Sequence, residues 1–102
     1  MRRRVAVSGM GIVCAAGADA TAFADAIAAG TNCLGPICDA RVGHVRAQRA
    51  GLASAFDEAA VRKRYGLDER TDRYVTLALE GARQALENAG YMQGLGRKRA
   101  GL

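Results

Sequence analysis

Two close glycines, three cysteines, one histidine and a basic cluster are the groups in this 102-residue chain whose types and spacing could do chemistry. Gly9-Met10-Gly11 follows a short apolar run, Arg4 to Val7. A glycine loop that leaves a strand and opens a helix can hold a pyrophosphate on backbone N–H groups. Here Cys14 stands at the third glycine position of that fingerprint, and Gly17 comes too late. The next helix signal is several residues further on, so its N–H groups would not face a phosphate at Gly9. The Gly-Lys-Ser/Thr phosphate loop is missing from the sequence as well. The cofactor expectation is therefore none.

Cys14 follows an apolar run and precedes a helix signal, which is where a nucleophile could sit. No histidine or carboxylate is spaced to activate it, so a small packing thiol is expected. Cys33 and Cys38 have four residues between them, which is not a metal or redox pair. His44 alone cannot complete a zinc site, and a loop or surface histidine is its ordinary role. No metal site and no disulfide framework are expected. Reduced, mostly buried thiols point to a cytoplasmic location.

The remaining chemistry is charge. Fifteen Lys and Arg against ten Asp and Glu leave a net +5, which favours an acidic partner. Arg62-Lys63-Arg64 and Arg70 form its densest cluster. Nucleic acid is not expected, because two Phe, three Tyr and no Trp offer few stacking platforms. A small basic RNA-binding protein is kept as a remote alternative. Membrane association is not expected, since the apolar runs are only a few residues long. Arg2 to Arg4 could open an export signal, but Ser8, Gly9 and Gly11 break the apolar core such a signal needs.

Positioning these groups takes few elements. Val5, Ala6, Val7, Ile12 and Val13 read as a strand buried on both faces, with Gly9 and Gly11 marking a close backbone approach. Asp19 or Thr21 can cap a helix carrying Phe23, Ala26 and Ile27, and Gly30 stops it. Thr31 to Ala53 reads as irregular, with a turn at Gly35-Pro36 and a short strand pair within Val42 to Leu52. One or two helical turns are expected over Phe56 to Arg64. A long helix opens at Asp68 or Thr71 and stops at Gly90. Its stripe of Val75, Ala78, Leu79, Ala82, Leu86 and Ala89 is expected to be the packed face.

One family pattern fits these elements together. Arg3-Arg-Val-Ala-Val-Ser-Gly-Met-Gly-Ile-Val13 resembles the opening strand of β-ketoacyl-[acyl-carrier-protein] synthases, with Gly9, Met10, Gly11 and Gly17 in register. FADAIAAGTNCLGPI, Phe23 to Ile37, resembles the helix and turn that follow there. Ala50-Gly51 with Phe56-Asp57, and Asp72-Arg73-Tyr74 with ALEGARQALENAG ending at Gly90, resemble two further motifs in the same order. Arg99 to Leu102 resembles the start of the next strand. Cys14-Ala15-Ala16 and Cys33 depart from the family's usual residues.

The resemblance implies an α/β fold, the N-terminal part of a thiolase-like α/β/α domain, with residues 1–102 as a partial domain. It implies an acyltransferase that condenses an acyl thioester with malonyl-carrier protein in fatty-acid or polyketide synthesis. The family's catalytic Cys and His motifs lie downstream of this stretch, so no catalytic residue is expected within it and inactivity alone is expected. A non-catalytic chain-length-factor-type partner subunit is the alternative. The implied partner is an acyl carrier protein, docked on Arg62, Lys63, Arg64 and Arg70, of which Arg70 matches the family position. A homodimer or heterodimer is implied for the full-length protein.

Overall fold

The computed structural model describes residues 2–38, 41 and 43–91. Val42 and the strand start expected at Arg99–Leu102 lie outside the described residues. The chain divides into two units, one of Met1–Gly11 with Glu58–Leu102, the other Ile12–Asp57.

In the second of these, helix α1 (Ala20–Ala29) begins where its cap predicts. The Asp19 carboxylate accepts from the Ala22 N–H at 2.8 Å, satisfying a donor that a helix start leaves open. Gly30 ends the helix at φ 65°, a left-handed conformation that glycine adopts at little cost. Before α1, Cys14 and Gly17 exchange backbone hydrogen bonds at 2.9 and 3.2 Å and fold the loop into a tight turn.

Strands β1 (Leu34–Pro36) and β2 (Arg49–Gly51) pair antiparallel, with Gly35 opposite Ala50. Residues Gly35-Pro36 are thus strand rather than the expected turn. Proline has no N–H to donate, and in a two-stranded sheet its edge need not supply one. Pairing resumes past it, where the Ile37 N–H donates to the Gln48 carbonyl at 2.9 Å. β2 falls inside the stretch expected to hold short strands, but its partner lies before that stretch.

In the other unit, where one or two turns are expected over Phe56 to Arg64, helix α2 (Glu58–Tyr65) makes two and ends at Gly66, φ 63°. Helix α3 (Arg73–Asn88) starts later than expected, with Asp72 at its cap position. Asp68 and Thr71 are used elsewhere. The Asp68 carboxylate accepts from the Arg70 N–H at 3.0 Å, which closes a turn instead of a helix start. Gly90 follows the last turn at φ 75°, and the Tyr91 N–H reaches the Leu86 carbonyl at 2.9 Å.

The packed face of α3 is only partly the predicted stripe, of which Val75, Leu79, Leu86 and Ala89 are half-buried. Ala78 and Ala82 are exposed, while Thr76 is 0 % exposed. Helix α2 covers the side of Arg73, Thr76 and Glu80, which are three and four residues apart and so share a face. Ion pairs from Glu58 and Arg64 join the two helices there, and Val61 of α2 is buried.

Residues 2–13 carry no strand assignment and pair with no strand among the described residues, so the expected two-sided buried strand is corrected. Val5 is 94 % exposed and Val7 86 %. A strand exists only through its ladder partners. The expected close approach is present all the same. A Cβ on Gly9 would land on the Ala85 carbonyl and 2.7 Å from the Ala89 nitrogen. One on Gly11 would land on the Gly81 carbonyl. The Met10 N–H donates to Asn88 Oδ1 at 3.2 Å, tying the segment to the same helix.

Candidate functional site

The site grows from one carboxylate. Glu58 stands in the first turn of α2, where an acid complements the helix dipole. Four residues on, Arg62 lies on the same helix face. Its Nη2 donates to Glu58 Oε1 at 2.8 Å and its Nε at 3.2 Å. Arg73, from the first turn of α3, donates to the other oxygen, Oε2. The Thr76 hydroxyl donates to the Arg73 carbonyl at 2.7 Å and lies 3.4 Å from Glu58 Oε1.

Arg62 also bridges outward from the carboxylate. Its Nη1 donates to the Asp68 carbonyl and its Nη2 to the Thr71 carbonyl, both at 2.6 Å. These two acceptors bracket Glu69 and Arg70. The link between α2 and α3 is thereby clasped at both ends.

Hydrogen bonds from Arg62, and then from Arg73, hold the Glu58 carboxyl below its usual value of 4.5 against an opposing desolvation effect. Glu80 is lowered as well, first by its hydrogen bond from Arg83. A carboxylate with a lowered folded-state value stabilises the fold above its unfolded value. Its contribution fades as the pH falls through the lower one. Protection of α2 and α3 amides is therefore expected to hold from pH 8 to 5 and to drop only below about pH 4.5. Hydrogen exchange of the full-length synthase across that range checks this, and the drop is expected to shrink in Glu58→Gln.

Thr76→Val is expected to cost about 1 kcal/mol, since it removes one buried hydrogen bond at constant shape. Denaturant midpoints of the two proteins in the full-length synthase give the difference.

The predicted basic residues thus separate. Arg62 is half-buried and committed to the clasp. Lys63 and Arg70 are exposed. Arg64 is exposed too, with a 3.8 Å ion pair to Glu80. All four lie on α2 or the link that Arg62 holds. Glu58, Arg73 and Thr76 were not among the candidates. The Glu58–Arg62 spacing was a readable helix signal, whereas the partners from α3 come from 15 and 18 residues away.

The other candidates stay apart. Cys14 and Cys33 are half-buried and Cys38 is exposed, against the expectation of mostly buried thiols. The Cys33 thiol lies 3.6 Å from the Thr31 carbonyl. His44 is exposed in a turn. No group of three metal-ligating side chains occurs among the described residues. No helix among them is long and apolar enough to cross a membrane.

The sequence led us to expect a close backbone approach at Gly9 and Gly11, and the structure places it on α3. The chain belongs to the β-ketoacyl synthase family, whose N-terminal domain matches residues 2–101. It is 34% identical over 88 residues to "Putative polyketide beta-ketoacyl synthase 2" of Streptomyces coelicolor, covering 85% of this chain and 20% of that protein. It is 36% identical over 94 residues to "Putative polyketide beta-ketoacyl synthase 1" of Streptomyces halstedii, covering 88% of this chain and 21% of that protein. The chain spans about a fifth of the length of these curated relatives. No solved structure matches it.

Proposed function

We propose that residues 1–102 are the N-terminal part of a polyketide-type β-ketoacyl synthase domain, serving as scaffold and as part of its carrier-protein surface. The family match over residues 2–101 carries this reading. The relatives' names supply the polyketide assignment. In this reading the fold is thiolase-like and the segment Arg4–Val13 becomes a strand once neighbours cover Val5 and Val7. The nucleophilic Cys and the His residues come from elsewhere in the synthase, so this chain alone performs no condensation. The protein works in the cytoplasm as a homodimer or heterodimer.

The proposed docking surface is the exposed basic set of Lys63, Arg64 and Arg70, which an acidic acyl carrier protein would meet. Surface charges of this kind speed encounter more than they fix affinity. Reversing all three to Glu in the full-length synthase is expected to slow carrier-protein association about tenfold or more at low salt, with a smaller effect at high salt. Stopped-flow association measures it, and an unchanged rate at low salt would reject the docking surface. The scaffold role is checked with the 102-residue chain alone, which is expected to release no carbon dioxide from malonyl-carrier protein.

A further inference from the structure

We infer that Glu58 and Arg62 are positioning residues of the docking surface, acting on a partner only by fixing the link that displays Arg70. The inference rests on the docking reading above and changes the role of one residue within it. By charge alone, Arg62 belongs with Lys63 and Arg64 as a contact for an acidic partner. Its geometry assigns it otherwise.

Four hydrogen bonds run from the Arg62 guanidinium, and all end inside the chain. A guanidinium has five N–H donors, so little capacity is left for a partner. The Asp68 and Thr71 carbonyls it holds flank Glu69 and Arg70 directly. The Asp68 carboxylate fixes the Arg70 N–H from within the turn. The Thr71 N–H returns to the Asp68 carbonyl at 3.2 Å, and the Leu67 N–H to the Arg62 carbonyl at 2.9 Å. Glu58 in turn aims the Arg62 fork, and Arg73 anchors Glu58 to α3. Removing Glu58 leaves Arg62 free to turn toward solvent and releases both carbonyls.

A contact role and a positioning role predict opposite signs for one substitution. Glu58→Gln deletes a negative charge beside a basic surface. If Arg62 and its neighbours act only through their field, an acidic partner binds tighter. If the clasp positions Arg70, the display-competent fraction falls and binding weakens in proportion.

The test uses the full-length synthase with purified acyl carrier protein as the probe. Glu58→Gln is expected to weaken binding about fivefold, mainly through slower apparent association. It is also expected to speed amide exchange at Leu67 and Thr71. Arg62→Lys keeps the charge but not the planar fork, and is expected to behave the same way. Global unfolding would speed exchange throughout α2 and α3, whereas loss of positioning speeds it at Leu67 and Thr71 alone, so the exchange pattern separates the two. Tighter or unchanged binding in Glu58→Gln, or unchanged exchange at Leu67 and Thr71, overturns the inference. If reversal of Lys63, Arg64 and Arg70 leaves binding unaltered, the docking surface itself is what fails. If reversal weakens binding while Glu58→Gln strengthens it, only the positioning role falls.

Discussion

Gly11→Ala is expected to destabilise the protein by about 1–3 kcal/mol or more, the range for forcing extra atoms into a packed contact. The added methyl would land on the Gly81 carbonyl, with the carbonyl carbon 2.8 Å away. A side chain in the way can rotate aside, but this obstacle is helix backbone. Relief requires the N-terminal segment to lift from α3. Gln84 Cβ at 2.9 Å closes the other side. Lifting would also strain the bond from the Met10 N–H to Asn88. Gly9→Ala meets the Ala85 carbonyl and the Ala89 nitrogen, so it is expected to act in the same direction. Gly35→Ala is the control, because nothing lies within 4 Å of its added carbon. Denaturant midpoints of the three variants in the full-length synthase give the ordering. Equal stability of Gly11→Ala and Gly35→Ala would show that the segment does not sit on α3.

This geometry settles what the Gly9-Met10-Gly11 loop is for among the described residues. It is a packing surface for a helix. The sequence made that legible through what it lacked, a third glycine in place and a helix opening directly at the loop. It could not show which element approached, because Gly9 and Ala85 are far apart along the chain.

Local signals translated well elsewhere. Asp19, Gly30 and Gly90 act on backbone groups within a few residues, and each is at a helix end. Long-range signals did not. The aliphatic stripe of α3 predicted its packed face, yet Thr76 and Glu80 face α2 because Glu58 and Arg64 supply the partners. Periodicity weighs apolar residues and is blind to a polar interface held by ion pairs. Likewise Arg62 read as surface charge, since nothing in a local window showed two carbonyls within its reach. The first strand failed for a different reason. Its composition suits a strand buried on both faces, and the described residues provide no ladder for it.

That exposed segment leads to the second large effect. The 102-residue polypeptide alone is expected to unfold without a cooperative transition. Folding must offset roughly 1–2 kcal/mol of backbone entropy for every residue it orders. Fully burying a large apolar side chain returns about 1.5–3 kcal/mol. Among the described residues only Phe56 and Val61 are buried hydrophobic residues. Val5, Val7, Ile27, Leu34, Leu52 and Tyr74 each leave at least half their surface in water. The ion pairs of Glu58 and Glu80 cannot substitute, because pairs this close to solvent contribute little individually. Scanning calorimetry is expected to show no sharp peak, and a hydrophobic dye to bind at neutral pH. A sharp transition with an enthalpy near about 0.7 kcal/mol per residue would overturn the expectation. In the full-length synthase the same residues are expected to become protected from exchange, Val5 and Val7 most of all. Covering these two side chains is what would turn the opening run from an exposed segment into the strand its composition describes.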